Sequence, residues 1–291
     1  MASPRLRPAA VAVGCGAGLA ALAWLAGTIA VAAPSLTRRR GRPNPADVRI
    51  ESLDGLSLAA TYLPGAGAEA PGVLIVHGVA ASRRDARANA DWLAAQGYAV
   101  LAIDLRGHGG SDAAACGYGW SEAQDVHAAL AWLRQRHPGA RVAVVGVSMG
   151  GAATLIGPHG PVQADAFVLQ GVYATFRDTV RSRIAPAGGV GLAWLLEPLL
   201  SLQTRPRLGV WPSRLSPLAA ARRVTCPVLV IGGEADVFTP PAETRRLFEA
   251  FAGPKSLWLA PGLGHNGVST TTRQDYRDHL LAFLRGAIGV P

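Results

Sequence analysis

Beyond residue 47 the chain alternates short unbroken apolar runs with longer stretches whose apolar residues recur every three or four positions. The runs are Val73–Val76, Tyr98–Ile103, Val142–Val147, Phe167–Leu169, Val228–Ile231 and Leu257–Leu259. Unbroken runs of this length suit strands buried on both faces. Val48–Leu53 and Leu56–Leu63 flank Asp54-Gly55, a hairpin signal. Arg83–Gln96 reads as a helix stopped by Gly97. Ser121 with Gln124 reads as a capping box opening a second helix, which Pro138-Gly139 ends. Pro240-Pro241 open a helix whose apolar side carries Leu247, Phe248 and Phe251, and a helix from about Thr272 to Gly286 closes the chain. Strands separated by helices pair in parallel through right-handed crossovers. The expected fold class is therefore α/β, with about eight mostly parallel strands flanked by helices. The interval 172–224 breaks the rhythm and is expected as a helical cap over the C-terminal edge of the sheet.

The beginning of the chain follows a different pattern. No charged side chain occurs between Arg7 and Arg38, and Ala9–Ala33 is apolar except for Thr28. As a helix this run would cross roughly 30 Å of hydrocarbon. Ala30-Val31-Ala32 would suit a signal-peptide cleavage site, but the run exceeds the ~7–15 apolar residues of a signal peptide. The expectation is a short basic N-terminus (1–8), an uncleaved N-terminal transmembrane anchor (9–34), a linker (35–47) and a domain over 48–291. Arg5 and Arg7 precede the span while Arg38, Arg39, Arg40 and Arg42 follow it. The excess of following arginines favours a cytoplasmic domain beside the lipid bilayer.

Composition narrows the class. Hydrophobic residues make up 49% and charged residues 16% of the 291, enough to build a large core and to exclude a disordered chain. The net charge of +9 is almost all arginine, since Lys255 is the only lysine. Beyond Arg38–Arg42 the arginines are scattered and no reading motif accompanies them, so no nucleic-acid partner is expected. Cys15, Cys116 and Cys226 are odd in number and widely spaced, which argues against a disulfide framework or a zinc site.

Gly146-Val147-Ser148-Met149-Gly150 is a G-x-S-x-G match that follows a predicted strand and precedes a helical stretch. That strand–turn–helix setting is what an exposed nucleophilic serine requires, and the glycines Gly146 and Gly150 permit the sharp turn. Such a serine needs a base, and the base an orienting acid, in the chain order Ser, acid, His. Asp236 follows the run Val228–Ile231, and His265 follows Leu257–Leu259. Both then fall at the C-terminal ends of strands, where sites in open α/β sheets lie. Glu234 competes with Asp236 as the acid. His127, His137 and His279 fall on helices and are expected at the surface; His77 reads as a turn-fixing residue. The main-chain N–H groups of Val79 and Met149 are the expected oxyanion donors.

Taken together, Val76-His77-Gly78, Asp104–Ser111, Gly146–Gly151, Gly233–Asp236 and Gly264-His265 resemble the α/β-hydrolase superfamily over about Val48 to Ala287. Within it the chain looks nearest to membrane-anchored Bem46-like hydrolases. One departure is Val79-Ala80-Ala81, where that subgroup more commonly has a polar or glycine-rich loop. The resemblance implies an α/β-hydrolase fold and a structural role for the Asp104–Ser111 turn. The expected activity is hydrolysis of an ester or thioester with an apolar acyl group, through Ser148, His265 and Asp236 and an acyl-enzyme. That chemistry calls for no metal and no organic cofactor. The rivals are a peptidase acting on small peptides and a silent, membrane-tethered binding protein on the same fold. The helix bearing Leu192, Trp194, Leu195, Leu196, Leu199, Leu200 and Leu202 has more apolar surface than one packing face needs. That surface either packs the cap on the sheet or in part lines an acyl pocket, which Leu196 and Leu199 would then border.

Overall fold

The computed structural model describes residues 8–37 and 44–289. Its strands are β1 (Asp47–Glu51), β2 (Ser57–Leu63), β3 (Gly72–Val76), β4 (Ala99–Ile103), β5 (Val142–Val147), β6 (Ala166–Gln170), β7 (Val228–Gly233) and β8 (Lys255–Ala260). They form one eight-stranded sheet in the order β1-β2-β4-β3-β5-β6-β7-β8. β1, β2 and β4 pair antiparallel and the remaining pairs are parallel. The helices are α1 (Pro8–Thr37), α2 (Arg87–Ala95), α3 (Ala123–Arg136), α4 (Met149–Leu155), α5 (Phe176–Ser201), α6 (Thr204–Leu208), α7 (Pro217–Ala221), α8 (Pro241–Ala250), α9 (His265–Thr270) and α10 (Gln274–Ile288).

The unbroken apolar strands are buried on both faces. Leu74, Val76, Val144, Phe167 and Val230 point into one core with Leu130, Leu155 and Leu247 of α3, α4 and α8. Their strand neighbours Val73, Ile75, Val145, Val168 and Ile231 point into the other, with Leu93 of α2 and Leu280 and Leu284 of α10. Alternation is thus present in direction but absent in polarity.

Two local expectations shift for identifiable reasons. The second helix begins at Arg87 rather than Arg83. Arg83 is held instead by Asp104, by Asp47 at 3.0 Å and by Thr61 Oγ1 at 3.0 Å. The capping box at Ser121 does not form: α3 starts at Ala123 with no side-chain cap, and Glu122 turns back to accept from the Gly117 and Gly119 amides. Among connecting segments, the Asp104–Ser111 turn is structural, as the resemblance implied. Asp104 accepts from the Arg83 and Gly110 amides, and Ser111 Oγ donates to the Asp104 carbonyl at 2.6 Å.

The cap lies between β6 and β7 and holds α5, α6 and α7. α5 is interrupted at Gly189, which has φ 77°. Arg177 and Arg181 from before the break reach Glu197 after it, at 3.2 and 3.0 Å. Arg181 also covers the Trp194 ring at 3.6 Å, so the two segments fold against each other.

The transmembrane anchor expected at residues 9–34 is overturned. Among the described residues the stretch long and apolar enough to cross a membrane is internal, Phe176–Leu208, whereas the apolar stretch Ala20–Ser35 within α1 is too short to do so. The later half of α1 is instead fastened to the α/β domain. Gln203 Nε2 donates to the Ala23 carbonyl at 2.8 Å, and Arg207 to the Trp24 carbonyl at 2.9 Å and Thr28 Oγ1 at 2.8 Å. The Cys116 amide donates to the Val31 carbonyl at 2.8 Å, and Ser35 Oγ to the Ala114 carbonyl at 2.6 Å. A single-pass N-terminal anchor, the bilayer partnership and the membrane localisation drawn from it therefore fall together. An apolar helix can be held in place by hydrogen bonds from polar groups elsewhere in the chain, and hydropathy alone does not register them. Residues 1–7 and Arg38–Arg42, which carried the orientation argument, lie outside the described residues.

The buried arginine of this turn generates a stability prediction. Arg106 meets Asp125, which is fully buried, at 2.7 Å, and Asp54 at 2.7 Å. Replacing Arg106 by Leu strands the Asp125 carboxylate in the core and should cost about 3–5 kcal/mol. Urea unfolding of the variant should show the lowered midpoint; an unchanged midpoint would contradict the role given to this pair.

Candidate active site

β5 runs directly into Ser148, and α4 starts at the next residue. Ser148 has φ 48° and ψ −115°, a strained conformation for an L-residue. Its neighbours are glycine because backbone fills the space a side chain would need. A Cβ on Gly146 would lie 2.5 Å from Gly151 Cα, and one on Gly150 would lie 2.5 Å from the Val76 carbonyl oxygen. The end of β3 is thereby drawn against the turn. Gly78 follows closely, where a Cβ would lie 3.3 Å from Ser148 Cβ.

Ser148, Asp236 and His265 meet, though they lie far apart in sequence. Ser148 Oγ is 3.1 Å from His265 Nε2, and His265 Nδ1 is 2.7 Å from Asp236 Oδ2. Asp236 is buried, and its Oδ1 accepts from the Phe238 and Thr239 amides at 2.8 Å each. A carboxylate held this way presents Oδ2 as an acceptor, so His265 donates from Nδ1 and offers Nε2 to the serine hydroxyl. Glu234, the competing acid, is exposed.

The other histidines fall into place as structural groups. His77 is buried; its Nε2 accepts from the Leu105 amide at 3.0 Å and its Nδ1 donates to the Gly78 carbonyl at 2.7 Å. It fixes the loop carrying Val79, as a turn-fixing residue should. Burial, and then the neighbouring His108, push its pKa down to about 4. His137, expected at the surface, is buried and meets the Tyr62 hydroxyl at 2.7 Å and the Ala68 carbonyl at 2.9 Å. His127 is half-buried on α3, while His279 stacks on Trp258 with ring centroids 4.6 Å apart.

Two cavities open on Ser148. The larger, about 580 Å³, has a mostly apolar lining that includes Val79, Met149, Phe176, Val180, Ile184 and Leu200. The smaller, about 500 Å³, is more polar and is bordered by His77, Asp85, His265, Asn266 and Thr270. Val79, Ser148, Arg183 and Phe238 border both. Neither the Val79 nor the Met149 main-chain N–H has a hydrogen-bond acceptor among the described residues. Among those residues no group of three or more His, Cys, Asp or Glu could hold a metal ion.

Several contributors escape a reading of the sequence. Gly171 lies under the base, where an added Cβ would be 3.2 Å from His265 Cε1, and its φ is 56°. Its signal is a glycine directly after a strand, which is common enough to pass unnoticed. Thr239 Oγ1 ties the acid loop to the Gly171 carbonyl at 3.2 Å. Phe238 stands edge-on to the His265 ring at 5.8 Å and carries Arg183 on its face at 4.0 Å. The expectation for Leu196 and Leu199 is corrected: of the cap leucines named above, Leu200 borders the cavity, and Leu192, Leu195 and Leu202 are exposed. The break at Gly189 turns the buried side of the second segment toward Ala193, Glu197 and Ser201.

Comparison with known proteins agrees with this geometry. A family profile described as serine aminopeptidase, S33, matches residues 69–217. An uncharacterised protein of Mycobacterium tuberculosis is 34% identical over 245 residues, covering 83% of this chain and 80% of that protein. Dipeptidyl aminopeptidase BIII of Pseudoxanthomonas mexicana is 28% identical over 239 residues, but these cover only 34% of its length. In three dimensions, the Pyrococcus furiosus esterase Pf2001 superposes with a TM-score of 0.67 at 21% identity, covering 87% of this chain and 97% of that one.

A pH dependence of stability follows from His77. It binds its proton more weakly folded than unfolded, so stability should decline as pH falls from about 6.5 toward about 4. The loss should reach up to about 3 kcal/mol and level off below that range. The shift of Asp47 and Asp54, lowered below 3.8, acts at more acid pH. Buried His108 and half-buried His127 shift in the same direction, while Glu243, pushed up to about 7 by burial, acts in the opposite one. The His77 share is therefore read as a difference: urea midpoints should fall more, or rise less, from pH 7 to pH 4 in the unsubstituted protein than in His77→Gln. An equal slope in both proteins would contradict the assignment.

Proposed function

Because the chain belongs to the serine aminopeptidase S33 family of α/β-hydrolases, we propose that it hydrolyses esters or thioesters of apolar acyl groups through Ser148, His265 and Asp236. Ser148 attacks the carbonyl carbon while His265 Nε2 takes the hydroxyl proton. Asp236 holds the tautomer and stabilises the imidazolium. The amides of Val79 and Met149 receive the oxyanion, which needs donors already aimed at it. His265 then returns its proton to the departing oxygen or sulfur, and water, activated by the same imidazole, releases the acid and regenerates Ser148.

The orientation of substrate follows from which cavity the base borders. His265 borders the smaller cavity and not the larger one. The group it protonates on departure therefore leaves through the smaller cavity, and the acyl group occupies the larger. The observation that carries the acyl class is the lining of that larger cavity. It has no carboxylate, and its charged side chains are Arg183 and Arg207. A free amino group would find no anionic partner there, whereas an alkyl chain gains from burial. Kinship with Bem46-like hydrolases rests on the motif string from Val76-His77-Gly78 to Gly264-His265 and forms part of this proposal.

A peptidase acting on small peptides is the second reading. It is favoured by the family description and by the likeness to a dipeptidyl aminopeptidase. The carboxylate it would use is Asp85 in the smaller cavity, but that group already accepts from Ser82 N at 2.7 Å and Ser82 Oγ at 3.0 Å. Turnover of p-nitrophenyl esters against aminoacyl p-nitroanilides separates the two. We expect kcat/KM to favour the esters and to fall about 10⁴-fold or more in Ser148→Ala. Anilide cleavage exceeding ester cleavage would favour the peptidase, and an active Ser148→Ala would refute the nucleophile.

A further inference from the structure

The later half of α1 does more than pack on the domain. Ala26, Gly27, Ala30, Val31, Ala33 and Pro34 border the same cavity as Ser148 and Met149. Opposite them stand Phe176, Val180, Ile184 and Leu200 of α5. We propose that α1 is the outer wall of the acyl pocket, so that this N-terminal segment sets which acyl chain lengths the enzyme accepts. The inference rests on the serine-hydrolase reading above and assigns a substrate class to it: acyl chains of medium length, held between α1 and the cap.

Three observations converge on this wall. The first is the fastening along the lining stretch, by Gln203 and Arg207 at Ala23, Trp24 and Thr28, by the Cys116 amide at the Val31 carbonyl, and by Ser35 Oγ at the Ala114 carbonyl. Arg207 also covers the Trp24 ring at 4.1 Å. The second is Gly27, whose bare Cα leaves room for the Gln203 side-chain amide to reach α1, where an added Cβ would displace it. The third is side-chain size. The α1 positions that border the cavity are small, Ala26 and Ala30 among them exposed toward open space, while the large Leu22, Leu25 and Ile29 are absent from the lining. Small residues on the inner side leave the cavity open; large ones there would fill it. A cavity of about 580 Å³ lies within the usual range for small-molecule sites, roughly 300–1,000 Å³.

The test uses the full-length chain with Ala30→Trp, which fills the pocket from the α1 side, and Leu25→Trp, which adds the same bulk on the outer side. Rates are measured on p-nitrophenyl acetate and p-nitrophenyl decanoate. Ala30→Trp should lower kcat/KM for decanoate by roughly tenfold or more, since each lost apolar contact acts on the transition state separately. Acetate turnover should stay within about threefold of the unsubstituted protein, and Leu25→Trp should change neither. Equal losses on both esters, or no loss on decanoate, would overturn the wall. A readout independent of catalysis is the binding of 1-aminoanthracene, an apolar fluorophore, which Ala30→Trp should weaken and Leu25→Trp should not. If the fluorophore responds in this way while neither ester is turned over, the wall stands and the hydrolase reading fails. If neither variant alters fluorophore binding, the wall is refuted whatever the esters show.

Discussion

The strained turn at Ser148 is the constraint on which the rest of the site depends. A residue with φ 48° and ψ −115° keeps that conformation only when its surroundings over-determine it. Here the Ser148 amide donates to the Gln170 carbonyl at 2.8 Å, locking the turn to β6. Gly150 lets the β3 end press against the first turn of α4. The same close approach delivers Gly78 beside Ser148 and brings Val79 to the cavity. On the other side, β6 continues into Gly171, whose bare Cα makes room for the His265 ring. The proposed nucleophile, oxyanion loop and base are thus positioned by neighbours of one turn, in a sheet whose central strands are buried on both faces.

The polar interior is organised to keep that arrangement rigid. Asp236 satisfies both oxygens, one on His265 and one on two backbone amides. His77 uses both ring nitrogens on the backbone and is held neutral by burial. Asp104 and Arg106 at the end of β4 do similar work one strand further out, with carboxylate and guanidinium partners rather than water. Each buried charge has a named partner, which is the condition for burying it without large cost.

The strands, the chain order of Ser148, Asp236 and His265, and the cap position were legible because they leave local marks: unbroken apolar runs, glycines at a turn, polar residues just past strand ends. What was not legible depends on contacts distant in sequence. Nothing around His137 marks it as buried, since Tyr62 and the Ala68 carbonyl lie 75 and 69 residues earlier in the chain. Arg83 has helical neighbours, yet Asp104 and Asp47 claim it. The apolar run at the N-terminus reads as a membrane span because hydropathy registers only what a helix avoids. The polar atoms that fasten it, on Gln203, Arg207 and Ser35, belong mostly to other parts of the chain. For the same reason the apolar excess of the cap helix did not tell which of its side chains meet protein: the break at Gly189 and the pairing of Arg181 with Glu197 leave Trp194 and Leu195 exposed.

The central claim is that Ser148 is a nucleophile activated by His265, and covalent trapping tests it most directly. The full-length protein is treated with an alkyl fluorophosphonate, digested, and the modified peptide is sequenced by mass spectrometry. The account predicts one adduct, on Ser148, formed much more slowly in His265→Ala. An adduct on another residue, or labelling of Ser148 at the same rate without His265, would contradict it.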